Sequence, residues 1–274
     1  MSEPRRNVEA RPRYIDVNNV TLYCEEYGSG DSLLLLHGGL GSGRDWELLI
    51  PSLVDDFHLV TIDVRGHGRS TNPSGTLTYP LIASDLALAI EALGLERPFI
   101  AGWSDGGQHA LQLGCRYPEL VRAVMAGAAD FKTSPASKTW VREFFGMNDE
   151  GEVDLAVLDE MLGPSAPRFH AKHSGGDAQW SDLARQTAHL WLNYEGLSAD
   201  DYHRIVAPVL VMVGDRDDDV SVEDAVSMFR AIPHAELAVC PNASHSIPWQ
   251  RPSWLVSAMR AFLDRQRHQS DDAR

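Results

Sequence analysis

Nine residues, Phe99-Ile100-Ala101-Gly102-Trp103-Ser104-Asp105-Gly106-Gly107, constrain this chain more than any other stretch. An apolar run ends in Gly-x-Ser-x-Gly, and a helical pattern from Gln108 to Tyr117 starts at once, so the sequence calls for a strand, a tight turn and a helix. A strand that turns this sharply brings its backbone against the helix, which leaves no room for a Cβ at Gly102 or Gly106. The turn holds out the Ser104 hydroxyl, and the backbone N–H of Asp105, at a helix N-terminus, can face a developing oxyanion. An ordinary turn in which Ser104 only caps the helix uses the same residues. The pentapeptide therefore needs support from the rest of the chain.

Composition narrows the setting. A chain of 274 residues with 43% hydrophobic content can bury one large α/β domain, or a domain carrying an insertion, more readily than two equal domains. The formal charge of -15 argues against nucleic acid or acidic lipid as the main partner. Met1 to Arg13 is polar with no apolar core, and no stretch approaches the length needed to span a bilayer, so the expectation is a cytoplasmic protein without a membrane partner. Cys24, Cys115 and Cys240 are odd in number and widely spaced; they fit neither a disulfide framework nor a Cys-x-x-Cys metal site and are read as buried thiols.

In chain order, Arg13–Val17 and Val20–Tyr27 read as extended runs joined by Asn18-Asn19, a pair that tolerates positive φ in a tight hairpin. Ser32–His37, with four consecutive leucines, reads as a strand buried on both faces, followed by Gly38-Gly39-Leu40-Gly41-Ser42-Gly43 and a helix from Asp45 to Val54. Further buried strands are expected at His58–Val64, Val121–Ala129, Pro208–Val213 and Glu236–Cys240, with helices at Tyr79–Leu93, Val222–Ile232 and Trp254–Phe262. From Asp130 to about Asp201 the strand-type runs disappear. That segment, with Trp140, Trp180, Trp191 and a Gly/His-containing loop from Gly163 to Asp177, reads as an inserted helical cap whose aromatics either line a pocket over Ser104 or pack on the core. The tail from Gln266 to Arg274 is polar and expected to fray.

A serine hydroxyl is a poor nucleophile until a base takes its proton, so the elbow predicts a carboxylate and a histidine further along, in the order Ser, Asp, His. Pro208–Asp217 is a buried strand ending in an acidic loop, and Glu236–Cys240 is a strand followed by Pro241-Asn-Ala-Ser-His245. Both candidates thus sit at C-terminal strand ends, where open α/β sheets bind ligands.

Taken together, these motifs resemble the α/β-hydrolase superfamily over nearly the whole chain. His37-Gly38-Gly39 resembles its oxyanion loop, Asp63-x-Arg65-Gly66-x-Gly68-x-Ser70 its strand-to-loop signature, and Gly214-Asp-Arg-Asp217 its acid loop. The resemblance implies a mostly parallel eight-stranded sheet with an inserted helical cap: residues 1–130 and 202–274 form the hydrolase core and 131–201 the cap. It also implies Ser104 as nucleophile, His245 as base, Asp217 as acid and the N–H groups of Gly39 and Asp105 as oxyanion hole. Asp217 is preferred by its match to the motif, over Asp215, Asp218 and Asp219 in the same loop and over Asp130, where some family members keep their acid.

Weaker signals complete the reading. Gly39-x-Gly41 imitates a dinucleotide fingerprint, but Arg44 occupies the third glycine position. His170 and His173 are three apart in the cap without an obvious third ligand, so they are read as surface histidines and no metal or cofactor is expected. Arg65 and His67 are read as holding their loop together, and Trp46 and Trp103, which flank the site, as core residues or substrate contacts. The tract Gly102–Gly107 is similar to that of the valacyclovir hydrolases, amino-acid ester hydrolases in which the Asp after the nucleophile receives the substrate's ammonium group, which makes Asp105 a candidate substrate residue. The function expected is hydrolysis of a small-molecule carboxylic ester through an acyl-enzyme, with an α-amino-acid ester as one form. Lactones, thioesters, amides and carbon–carbon bonds suit the same triad, and a ligand receptor with little turnover suits the same fold.

Overall fold

Residues 8–271 are described by the structure, a computed structural model. Eight strands, β1 (Arg11–Val17), β2 (Val20–Tyr27), β3 (Asp31–Leu36), β4 (Phe57–Asp63), β5 (Phe99–Trp103), β6 (Ala123–Gly127), β7 (Val209–Gly214) and β8 (Ala235–Cys240), form one sheet in the order β1-β2-β4-β3-β5-β6-β7-β8. Only β2 runs against its neighbours; every other adjacent pair is parallel. The β1–β2 hairpin closes as its sequence requires: Val17 faces Val20, and Asn18 and Asn19 take φ of 45° and 59°.

The parallel strands read as unbroken apolar runs because both faces are covered. Successive side chains point to opposite faces, so Leu34 and Leu36 enter one core cluster and Leu33 and Leu35 the other. The first cluster packs α2 (Tyr79–Ala92), α3 (Asp105–Arg116) and α9 (Val222–Ala231) on the sheet; the second packs the segment from Gly43 to α1 (Ile50–Leu53) and α11 (Pro252–Asp271). Between β6 and β7 lie α4 (Pro135–Phe144), α5 (Leu155–Leu162), α6 (Ala166–His170), α7 (Gly176–Asn193) and α8 (Ala199–Arg204), with no strand among the described residues. A short helix, α10 (Ile247–Gln250), precedes α11. No helix of the described residues is long and apolar enough to cross a membrane.

Three local expectations change. The helix read over Asp45–Val54 is a chain of tight turns, Leu49 N–H to Trp46 O and Ser52 N–H to Leu49 O among them, ending in the single turn α1. Pro51 lacks the N–H and crowds the preceding turn, so a continuous α-helix is blocked. The loop read over Gly163–Asp177 contains α6, whose Pro167 presets a helical φ. The tail does not fray at Gln266, because α11 runs to Asp271, with Phe262, Leu263 and Gln266 buried and Arg267 paired to Asp31 at 2.8 Å; residues 272–274, like residues 1–7 of the polar start, lie outside the described residues.

Arg65 ties the loop after β4 to α2. Its Nε and Nη2 donate to the two oxygens of Asp85 at 2.6 and 2.7 Å, its Nη1 reaches Asn72 and Ser74, and Asn18 donates to Asp85 at 2.7 Å. Arg65 and Asp85 are 3% and 1% exposed. Removing one partner of such a buried pair strands the other charge, so Asp85→Ala should cost about 3–5 kcal/mol in urea unfolding. A loss below about 1 kcal/mol would mean that water already screens the pair.

Candidate active site

The elbow is built from backbone contacts. Ser104, between β5 and α3, has φ 56° and ψ -122°, a conformation that an L-residue keeps only when its surroundings impose it. A Cβ on Gly102 would overlap the carbonyl of Gly106, and a Cβ on Gly106 would overlap the carbonyl of Leu36 at the end of β3. Ser104 N–H donates to Gly127 O on β6 at 2.7 Å, and Gly107 and Gln108 N–H donate back to Ser104 O. The loop after β3 packs on the elbow, with a Cβ at Gly38 lying 3.3 Å from Ser104 Cβ.

The loops after β7 and β8 bring in the acid and the base. His245 Nδ1 lies 3.1 Å from each carboxylate oxygen of Asp217. The Asp217 side chain is fully buried, and its Oδ1 also accepts the N–H groups of Asp219 at 3.0 Å and Val220 at 2.9 Å. The alternatives sit differently: Asp219 is 3.8 Å from the ring, Asp215 accepts Ala243 N–H at 3.2 Å, Asp218 is exposed, and Asp130 makes no hydrogen bond to His245. Burial disfavours the imidazolium, but the hydrogen bond and charge of Asp217, with Asp219 and Asp130 behind it, outweigh burial and raise the His245 pKa above 6.5. Among the described residues the donor atoms grouped closely enough for a cation belong to Asp217, Asp219 and His245. The Asp217 and His245 members are already spent on that hydrogen bond.

Ser104, Gly39, Asp105 and His245 share the floor of a cavity of about 620 Å³. Ser104 and His245 face this cavity without a hydrogen bond between them, a contact that commonly tightens only when substrate is bound. Trp140 and Phe144 of α4 stack at 4.8 Å, Trp191 of α7 lies 6.1 Å from Trp140, and all three line the cavity. Trp180, the other tryptophan of this segment, is buried in the core. Four carboxylates, Asp105, Asp130, Asp218 and Asp219, line the cavity, and no lysine or arginine of the described residues does.

Two sequence expectations fail here. Trp46 and Trp103 are 3% and 4% exposed, belong to the core beneath the sheet, and do not line the cavity. Side chains alternate along a strand, so Trp103 points away from the face that Ser104 leaves by. Its indole Nε1 instead donates to His245 O at 2.8 Å. His170 and His173 are not a surface pair either: His170 Nε2 meets Asp159 at 2.8 Å, and His173 is 6% exposed and bonded to two core loops.

Asp105 lines the cavity, and it has company that the sequence did not reveal. Tyr79, the first residue of α2, donates its hydroxyl to Oδ1 at 2.5 Å, and Trp191 Nε1 lies 2.9 and 2.8 Å from the two oxygens. Burial pushes the Asp105 pKa up, against the two hydrogen-bond donors and His245. Asp130, at the end of β6, is the opposite case. Its carboxyl accepts no hydrogen bond from the described residues, and burial with the Asp105 and Asp224 charges raises its pKa to about 7.

The model of the Alpha/beta hydrolase family matches residues 33–258. The chain belongs to this family. An α/β-hydrolase by sequence, it is 26% identical over 266 residues to 2-(acetamidomethylene)succinate hydrolase of Mesorhizobium japonicum, covering 92% of this chain and 95% of that protein. It is 28% identical to pyrrolizixenacetamide deacetylase of Xenorhabdus hominickii, covering 88% of this chain and 93% of that one. A thermophilic esterase from Thermogutta terrifontis superposes with TM-score 0.75 at 25% identity, covering 95% and 99% of the two chains. The relatives are hydrolases, and this chain is a hydrolase of the same fold.

The His245–Asp217 contact can be read by NMR titration of the ring. The pKa should lie above 6.5 in the parent and fall in Asp217→Asn, because that change removes the charge that favours imidazolium. An unchanged ring pKa would mean that Asp217 is not its electrostatic partner.

Proposed function

We propose that this hydrolase cleaves a carboxylic ester of a small molecule through an acyl-enzyme. The observation that carries the reading is the placing of a strained Ser104 in the same cavity as His245, whose Nδ1 is engaged by the fully buried side chain of Asp217. With Nδ1–H turned to the carboxylate, Nε2 is free to take the Ser104 proton as Oγ bonds to the carbonyl carbon. The resulting oxyanion is received by the N–H groups of Asp105 and Gly39. Collapse breaks the bond to the leaving alkoxide, which takes the proton from His245. Water then attacks the acyl carbon, gives a proton to Nε2, and Ser104 leaves with that proton restored.

Residues 131–201 act in this proposal as a cap that shapes the cavity, since Trp140, Phe144 and Trp191 come from it. Each step uses side chains and backbone N–H groups of this chain with water, without a cofactor. The free, buried thiols of Cys24, Cys115 and Cys240 accord with action in a reducing compartment such as the cytoplasm.

The charge of the cavity favours an ester that carries an α-amino group. Four carboxylates, with no lysine or arginine of the described residues among them, create a field that attracts an ammonium and repels a dianion, so a succinate of the kind named for the Mesorhizobium relative suits this cavity poorly. Asp105 is partly committed to Tyr79 and Trp191, whereas the Asp130 carboxyl is free to receive the amine. The two carboxylates together anchor the ammonium.

Ser104→Ala should retain the fold, lose up to about 10⁶-fold in turnover and lose labelling by a fluorophosphonate. Labelling that persists would place the nucleophile elsewhere. Asp217→Asn should lower kcat by about 10⁴-fold, while Asp130→Asn should leave hydrolysis of an uncharged ester near the parent value. For an amino-acid ester, Asp105→Asn and Asp130→Asn should each lower kcat/KM about thirtyfold or more, without that loss on the matching ester lacking the amine. Because Asp130 titrates near 7, the KM of the amino ester should fall as pH rises through 7, until the substrate amine itself deprotonates. The acid limb of kcat/KM should lie above 6.5, since His245 must be neutral to act and its pKa is raised. Equal losses on both esters would remove the ammonium reading and leave the esterase reading standing.

A further inference from the structure

The segment between α6 and α7 reaches into the core and touches the loop that carries Gly39. His173 Nδ1 accepts the N–H of Gly68 at 2.9 Å, in the loop after β4. An acceptor at Nδ1 fixes the tautomer, so the ring proton is on Nε2, which lies 3.1 Å from the carbonyl oxygen of Leu40. Burial lowers the His173 pKa to about 4, so this neutral tautomer holds at ordinary pH. Leu40 follows Gly39 and has φ 56°, a left-handed conformation that a leucine keeps only when something fixes it.

Nearby contacts brace the same loop. Lys172 Nζ pairs with Asp45 Oδ1 at 2.6 Å with both side chains buried, and Asp45 Oδ2 accepts Ser42 N–H at 3.2 Å. Trp191 lies so close over Gly39 that a Cβ there would overlap its ring. His37, at the start of the loop, is held from inside the core: its Nε2 accepts Val64 N–H at 3.1 Å and its Nδ1 donates to Gly38 O at 2.7 Å.

We propose that His173 is a positioning residue for the oxyanion loop: its Nε2–H holds the Leu40 carbonyl, and with it the aim of the Gly39 amide toward the reacting carbonyl. The proposal rests on the reading above in which the Gly39 N–H is an oxyanion donor. The inserted segment then contributes to the chemical step as well as to the choice of substrate, without touching the reacting atoms. Loss of the Nε2 bond lets the peptide at Leu40 relax, and a displacement of about 1 Å at a catalytic group lowers rate by on the order of a hundredfold.

Two substitutions separate positioning from simple bracing. His173→Gln keeps an amide donor within reach of Leu40 O, whereas His173→Asn is shorter and keeps only an acceptor near Gly68 N–H. On a small uncharged ester, His173→Asn should lower kcat about tenfold to a hundredfold with KM within about threefold, and His173→Gln should recover most of that loss. A boronic acid, whose adduct with Ser104 resembles the tetrahedral intermediate, should bind His173→Asn more weakly in proportion to kcat. Folded His173→Asn with parental kcat, or a loss that Gln does not recover, overturns the proposal. If His173→Asn does not fold, the ring nitrogen resonances of His173 in the parent protein test the same link: the ring proton is expected on Nε2, and a proton on Nδ1 overturns the proposal. Turnover retained by Ser104→Ala would instead sink the nucleophile assignment, an outcome read independently of His173.

Discussion

Backbone packs directly on backbone where Gly106 lies against the Leu36 carbonyl and Gly102 lies against Gly106. Neither contact tolerates a methyl group, so β3, β5 and the start of α3 are locked at van der Waals distance. That lock is what keeps Ser104 at φ 56°. A non-glycine residue in such a conformation costs on the order of 1–3 kcal/mol, which the surrounding sheet offsets by over-determining the turn. The loop after β3 inherits its place from the same contact, since Gly38 rests on Ser104. The elbow and the loop after β3 are thus one mechanical unit, placed by β3 and β5 being neighbours in the sheet.

Around this rigid unit the electrostatics are one-sided. Carboxylates surround the cavity, and the positive partner that the described residues offer them is an imidazole whose charge Asp217 favours. Asp105 shows how a carboxylate is kept in this cavity: a phenol and an indole N–H take up its oxygens, and both come from elements far from it in sequence. Asp130 has no such donors, and its proton affinity rises accordingly.

Most of the sheet was legible because a strand covered on both faces must be apolar along its whole length, and the eight runs expected in the sequence are the eight strands found. The elbow glycines were legible for a similar local reason. Where the acid and histidine loops meet was legible only through the order of motifs, since no local signal says that Asp217 faces His245. Of the two readings of Trp46 and Trp103 the core one holds and the substrate contact, suggested by proximity in sequence, does not; the alternation of a strand sends Trp103 to the opposite face from its neighbour. Tyr79 and His173 were invisible as site residues, and Trp191 was read as a pocket or core aromatic but not as the partner of Asp105. Their partners lie 26, 133 or 105, and 86 positions away, and contacts of that separation leave no periodicity to read. The helix expected from Asp45 was lost to one residue, Pro51, whose missing N–H outweighs the apolar spacing around it.

The bond from Trp103 Nε1 to the carbonyl of His245 spans 142 positions and joins the middle of the chain to its last strand loop. The carbonyl of the residue whose ring meets Asp217 is thus the acceptor for an indole buried beneath the sheet. The loop after β8 cannot shift without leaving that core donor unsatisfied, so the place of the His245 ring is set by the packing under the sheet as much as by the loop that carries it.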